Sequence, residues 1–84
     1  MQHTRAMTSY SCKLTPNQGQ TLHILLTSRG FELSEAAHAQ FAARHPGVNV
    51  TLYTSGKLLV QGKGTREFVE FILEPEILGE ATIG

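Results

Sequence analysis

The sequence predicts an α+β domain in which an antiparallel sheet carries two helices on one side. Three stretches point to it. Residues 53–64, YTSGKLLVQGKG, are two strand-forming runs joined by a Ser55-Gly56 turn. Residues 9–14, SYSCKL, alternate in polarity and lead into Thr15-Pro16, which is a strand followed by a helix start. After Gly62-Lys63-Gly64, the side chains of Phe68, Val69 and Ile72 recur at helical spacing.

In the first strand Tyr10, Cys12 and Leu14 turn inward and Ser9, Ser11 and Lys13 outward. Thr15 is suited to accept from an orphan backbone N–H as N-cap, and Pro16 at the first helical position loses nothing by lacking a donor. Leu22, Leu25 and Leu26 then give a helix over about residues 16–28, with Gly19 a weak point inside it and Gly30 placed as a left-handed C-terminal cap. Residues 31–45 are ambiguous. Their alanine content favours helix, while Ala39, Phe41 and Ala43 alternate with His38, Gln40 and Arg44 as a strand would. Pro46-Gly47 marks a turn, and Val48, Val50 and Leu52 alternate with Asn49, Thr51 and Tyr53 through an evident strand. In the hairpin that follows, Leu52, Leu58 and Val60 share one face, and Thr51, Tyr53, Lys57, Leu59, Gln61 and Lys63 share the other. Thr65 is the expected cap of the second helix, and Pro75 its expected end. The division expected is a flexible N-terminus over 1–8, a folded domain over 9–74 and a linker over 75–84.

With 84 residues there is room for one domain and a thin core, since a chain of this size buries only about 60 % of its unfolded surface. The N-terminus lacks the apolar run of a signal peptide, no stretch is long and apolar enough to span a bilayer, and the lone Cys12 fits a reducing compartment; the expectation is a cytoplasmic protein with no membrane contact. Net charge is zero but unevenly spread. All seven basic residues lie within 1–66, whereas Glu67, Glu70, Glu74, Glu76 and Glu80 follow them, so a basic body precedes an acidic end. His3, His23, His38 and His45 show no metal-ligand spacing, and Cys12 reads as a small core residue. Gly62-Lys63-Gly64-Thr65 ends like a phosphate-binding loop, but Lys57 stands where its first glycine is required.

The hairpin resembles the most recognisable pattern of the N-terminal domain of type 3 ribonuclease H (ribonuclease HIII). In that family a tyrosine, one variable residue, Ser-Gly-Lys, three mostly apolar residues and Gln-Gly-Lys follow one another. Here they stand as Tyr53, Thr54, Ser55-Gly56-Lys57, Leu58-Leu59-Val60 and Gln61-Gly62-Lys63, and Lys13-Leu14-Thr15 matches the family's KLT ahead of the first helix. A weaker resemblance runs from about Ser9 to Leu73. It implies a fold like one half of the TATA-box-binding protein: a curved antiparallel sheet of about four strands with two helices packed on one face, in the order β-α-β-β-β-α. On that reading 38–44 is a strand. The resemblance also implies a module that holds an RNA/DNA hybrid, or duplex RNA or DNA, for a covalently linked ribonuclease H domain. That domain's divalent metal, Mg or Mn, has no counterpart here: there is no Asp in the chain, and no cofactor is expected.

A sheet that binds nucleic acid needs cations for phosphates, hydroxyl or amide groups for phosphates and sugars, and flat or apolar groups for riboses and bases. The expected contact residues are Lys13, Arg44, Lys57 and Lys63 for phosphates, Gln40, Asn49, Thr51 and Gln61 for hydrogen bonds, and Tyr53 and Leu59 against sugars or bases. The alternative is a protein-interaction or dimerisation domain using the same face or a sheet edge. No catalytic residues are expected.

Overall fold

In the computed structural model the described residues are 8–79; the expectations for residues 1–7 and 80–84 lie outside them. The elements run β1 (Ser9–Lys13), α1 (Pro16–Ser28), β2 (Glu32–Ser34), β3 (Ala39–His45), β4 (Val48–Tyr53), β5 (Lys57–Gln61) and α2 (Thr65–Phe68), which continues as a wider helix over Val69–Leu78. The five strands form one antiparallel sheet in the order β1-β5-β4-β3-β2. One strand more than expected is present, because 31–45 contributes both β2 and β3.

Helix α1 joins the two edges of the sheet. Its 13 residues span about 20 Å at 1.5 Å each, close to the roughly 19 Å across five strands. Thr15 caps it as expected: its Oγ accepts from the Gln18 N–H at 3.2 Å, and Gln18 Oε1 accepts from the Thr15 N–H at 2.9 Å, a full capping box. Gly30 follows in the left-handed region at φ 84. Gly19 is buried, and a Cβ there would stand 2.9 Å from Leu52 Cδ2. Its missing side chain lets the helix backbone lie directly on β4.

The core lies between the sheet and the helices. Phe41, Ala43, Val48, Val50, Leu52, Leu58 and Val60 come from the sheet; Leu22 and Leu26 come from α1; Phe68, Val69, Leu73 and Ile77 come from the C-terminal helix. Propensity alone misleads over 39–45, where burying Phe41 and Ala43 against α1 outweighs the helical preference of alanine. His38 lies in the turn before β3 with φ 59.

Three expectations at the termini change. Thr8 is tied down, its carbonyl accepting from the Gly62 N–H at 3.0 Å. Thr65 is the first residue of α2 rather than its cap; Gly64 precedes it, and the buried Thr65 hydroxyl donates to the Gly62 carbonyl at 2.7 Å. Pro75 does not end the second helix. The helix continues to Leu78 in π-type winding and stops at Gly79, whose N–H donates to the Glu74 carbonyl at 2.8 Å. The wider turn relieves the clash of a proline ring with the carbonyl of the preceding turn, and it brings Ile77 into the core. Residues 75–78 are therefore part of the domain, and the expected linker does not begin at 75.

Candidate nucleic-acid interface

Both helices cover one face of the sheet and leave the other open. Strand register arranges the open face in rows that cross the sheet. Ser11, Leu59, Thr51, Ala42 and Ser34 are successive neighbours in the middle row. On one side of it lie Ser9, Gln61, Asn49, Arg44 and Glu32. On the other, Lys13 pairs with Lys57, and extending the β4–β5 register by one place sets Lys57 beside Tyr53. The middle row is built from short side chains except for the half-buried Leu59, whereas the rows beside it carry long polar ones. A shallow groove of about 450 Å³ runs past Ser34, Ala42, Arg44, Asn49, Thr51 and Gln61.

Charge is gathered at the two ends of this face. Lys63, in the loop after β5, lines a second groove with Arg44, His45 and Asn49. Lys13 and Lys57 stand together at the other end. Four residue steps along β4, from Asn49 to Tyr53, separate the ends, which is about 13 Å along the strand. Among the described residues the ion pair formed is Arg66 with Glu70 at 3.0 Å on the helix side; Lys13, Arg44, Lys57 and Lys63 belong to none. Glu32 neighbours Arg44 in register without closing to ion-pair distance. Like charges side by side on adjacent strands are mildly destabilising by themselves, so the lysine pair is a local cost that an anion would relieve.

Nine of the ten expected contact residues thus border one surface. Gln40 does not. A bulge between Ala39 and Phe41 inserts one residue into β3, so that Ala39 pairs with Tyr53 and the alternation expected from the sequence is reset. Gln40 donates from Nε2 to the Tyr53 carbonyl at 3.3 Å and lines a groove with Pro16, Gln20 and Leu52, toward the helix side. Ser34 and Ala42 join the face beside the expected residues; Ala42 shares the parity of Arg44 on β3, whereas β2, only three residues long, gave periodicity too little to register for Ser34.

The turn geometry explains the glycines of the hairpin's exit. Gly64 N–H donates to the Gly47 carbonyl at 2.7 Å, and a Cβ on Gly62 would collide with that same Gly47 oxygen. The β3–β4 turn and the Gly62-Lys63-Gly64 loop therefore lie backbone to backbone, which fixes the Lys63 loop next to the Arg44 end of the sheet.

The profile described as "Domain of unknown function (DUF3378)" matches residues 10–81. The chain belongs to this domain family. Over 70 residues it is 50 % identical to ribonuclease HIII of Chlamydia trachomatis serovar L2, covering 83 % of this chain and 23 % of that protein. With ribonuclease HIII of Chlamydia muridarum it shares 47 % over 76 residues, covering 90 % and 25 %. The crystal structure of Aquifex aeolicus RNase H3 superposes with a TM-score of 0.71 at 31 % identity, over 77 % of this chain and 26 % of that one. The chain spans about a quarter of the length of these relatives and corresponds to their N-terminal, non-catalytic part. No group of three or more His, Cys, Asp or Glu able to hold a metal gathers among the described residues, and none of their helices is long and apolar enough to cross a membrane.

Proposed function

We propose that the open sheet face binds the backbone of an RNA/DNA hybrid and holds it for a ribonuclease H domain on the same polypeptide. The observation that carries this reading is the set of four cations that form no ion pair among the described residues, two at each end of a face whose middle is short, uncharged and partly hydroxylated. Such a surface meets phosphates at its ends, while Thr51 and Ser11 offer hydroxyls, and Leu59 and Tyr53 offer apolar area, to the riboses between them. Recognition is by charge and shape, with little reading of sequence. The isolated domain then binds weakly, on the order of 10⁻⁴ to 10⁻⁶ M at physiological salt. Divalent Mg or Mn belongs, in this reading, to the linked domain and its carboxylates, and the compartment is the cytoplasm.

An amide-shift NMR titration of the chain with a short RNA/DNA hybrid at low and moderate salt tests the proposal. Shifts at Lys13, residues 49–53 and residues 57–63 that shrink as salt rises are expected. Titrations with duplex RNA and duplex DNA rank the three substrates. No shift with millimolar hybrid, together with concentration-dependent dimerisation, would favour the interaction-domain reading, for which β1, an edge strand among the described residues, is the natural site.

A further inference from the structure

The helix side carries an apolar groove for which hybrid binding has no use. It measures about 420 Å³ and lies between the β3–β4 turn and α2. Val48 and Phe68 form its buried floor, and Phe31 its wall. Phe31 is held in place by ring contacts with Phe68 at 5.8 Å and His45 at 4.8 Å, so the groove is already formed. Phe71 stands at the rim, 68 % exposed, and Arg29 and Glu67 also line the groove. A phenylalanine ring left largely in water beside a ready-made apolar wall is an anchor without an occupant in this chain.

Charge narrows the choice of occupant. Glu67 is the acid that lines the groove, with Arg29 also at its border, while Glu70 on the same helix is already paired with Arg66 at 3.0 Å. The groove therefore suits an apolar protein segment that brings a basic side chain to Glu67 rather than a phosphate backbone. In the relatives, about three quarters of the polypeptide lies beyond the part this chain matches. That remainder follows the N-terminal part, so in chain order it comes after the helix that carries Phe71. Covalent linkage raises the effective concentration of that segment, so a contact weaker than a free partner would need suffices to hold it.

We propose that this groove is the docking site of the ribonuclease segment of the same polypeptide, which would seat an apolar side chain against Phe71 and Phe68 and meet Glu67 with a basic one. The inference rests on the chain being a domain of such an enzyme, but it uses none of the residues of the open sheet face.

The test compares the 84-residue chain with the same chain joined to the ribonuclease segment of the C. trachomatis relative, by hydrogen exchange without nucleic acid. Amides of residues 29–31, 45–48 and 64–72 are expected to exchange roughly tenfold more slowly in the joined protein. Phe71→Ser, an exposed position, should abolish that difference, and Glu67→Lys should reduce it. Equal exchange in the two proteins overturns the proposal, as does protection that the variants leave intact. Groove protection that appears in the chain alone and grows with its concentration would replace the ribonuclease segment by a second copy. Adding hybrid to the joined protein reads the open face separately, so failure at one surface is distinguishable from failure at the other.

Discussion

Replacing Gly62 by alanine tests the backbone contact that sets the Lys63 loop beside the end of the sheet. Gly62 has φ 119, a region that L side chains rarely adopt, and its added Cβ would collide with the Gly47 carbonyl oxygen while standing 3.1 Å from Val48 Cα. Strain of this kind costs about 1–3 kcal/mol. Moving the Gly47 carbonyl away also sacrifices its 2.7 Å bond from the Gly64 N–H, worth about 1 kcal/mol. The expected loss is about 3 kcal/mol, or a fall in melting temperature of about 15 °C for a domain of this size. Gly30→Ala is the control: φ is again positive at 84, but nothing lies within 4 Å of the added Cβ, so only strain of about 1 kcal/mol applies. Thermal melts by circular dichroism separate the two. If Gly62→Ala melts within a few degrees of Gly30→Ala, the collision is not what demands glycine at that position.

Lys57→Ala, Lys63→Ala and Arg44→Ala are each expected to lower the salt slope of hybrid binding by roughly one unit, with Gln40→Ala leaving it unchanged, as measured by fluorescence anisotropy over a salt series. Unaltered slopes in all three cation variants would remove the open face from consideration. Ile77→Ala should destabilise the domain by about 2 kcal/mol in urea unfolding, since Ile77 is 8 % exposed, whereas a linker residue would tolerate the change. Cys12 is partly desolvated, which raises its thiol pKa above the ordinary 9.0, and the Tyr10 hydrogen bond opposes this only in part. The folded state therefore favours the neutral thiol. This contribution to stability is full below 9.0 and is lost as pH rises through the elevated folded value. Alkylation by iodoacetamide near that pH should be slower in the folded chain than in urea, and equal rates would contradict the burial.

Elements with strong local signals were legible in the sequence: the Thr15-Pro16 start of α1, the alternation of β4, and the Ser55-Gly56 turn. The β3 strand was not legible from its own residues. Ala39, Ala42 and Ala43 are good helix formers, and only the tertiary burial of Phe41 and Ala43 on the sheet decides against helix there. The bulge left no mark in the pattern, so Gln40 was expected on the open face and lies off it. Pro75 gave a local stop signal that the burial of Ile77 overrides. The positions of Lys13, Lys57 and Arg44 followed from the alternation on β1, β5 and the end of β3, whereas Lys63 lies in the loop after β5 and is set beside Arg44 by the backbone contact between Gly47 and Gly64.

Chain order and sheet order disagree at one place, and this has a kinetic consequence. Strands β3, β4 and β5 are joined by tight turns and can pair as soon as each hairpin closes. The first strand must wait, because its partner is β5, and α1, β2 and the whole meander intervene. The edge that bears Lys13 is thus the last to zip and the first to fray. It is fastened just beyond Lys13 by the Leu14 N–H to the Gly56 carbonyl at 2.8 Å, and at its start by the Gly62 N–H to the Thr8 carbonyl at 3.0 Å. An anion bridging Lys13 and Lys57 would add a further fastening across the same seam, so binding at this face would also slow the opening of the sheet.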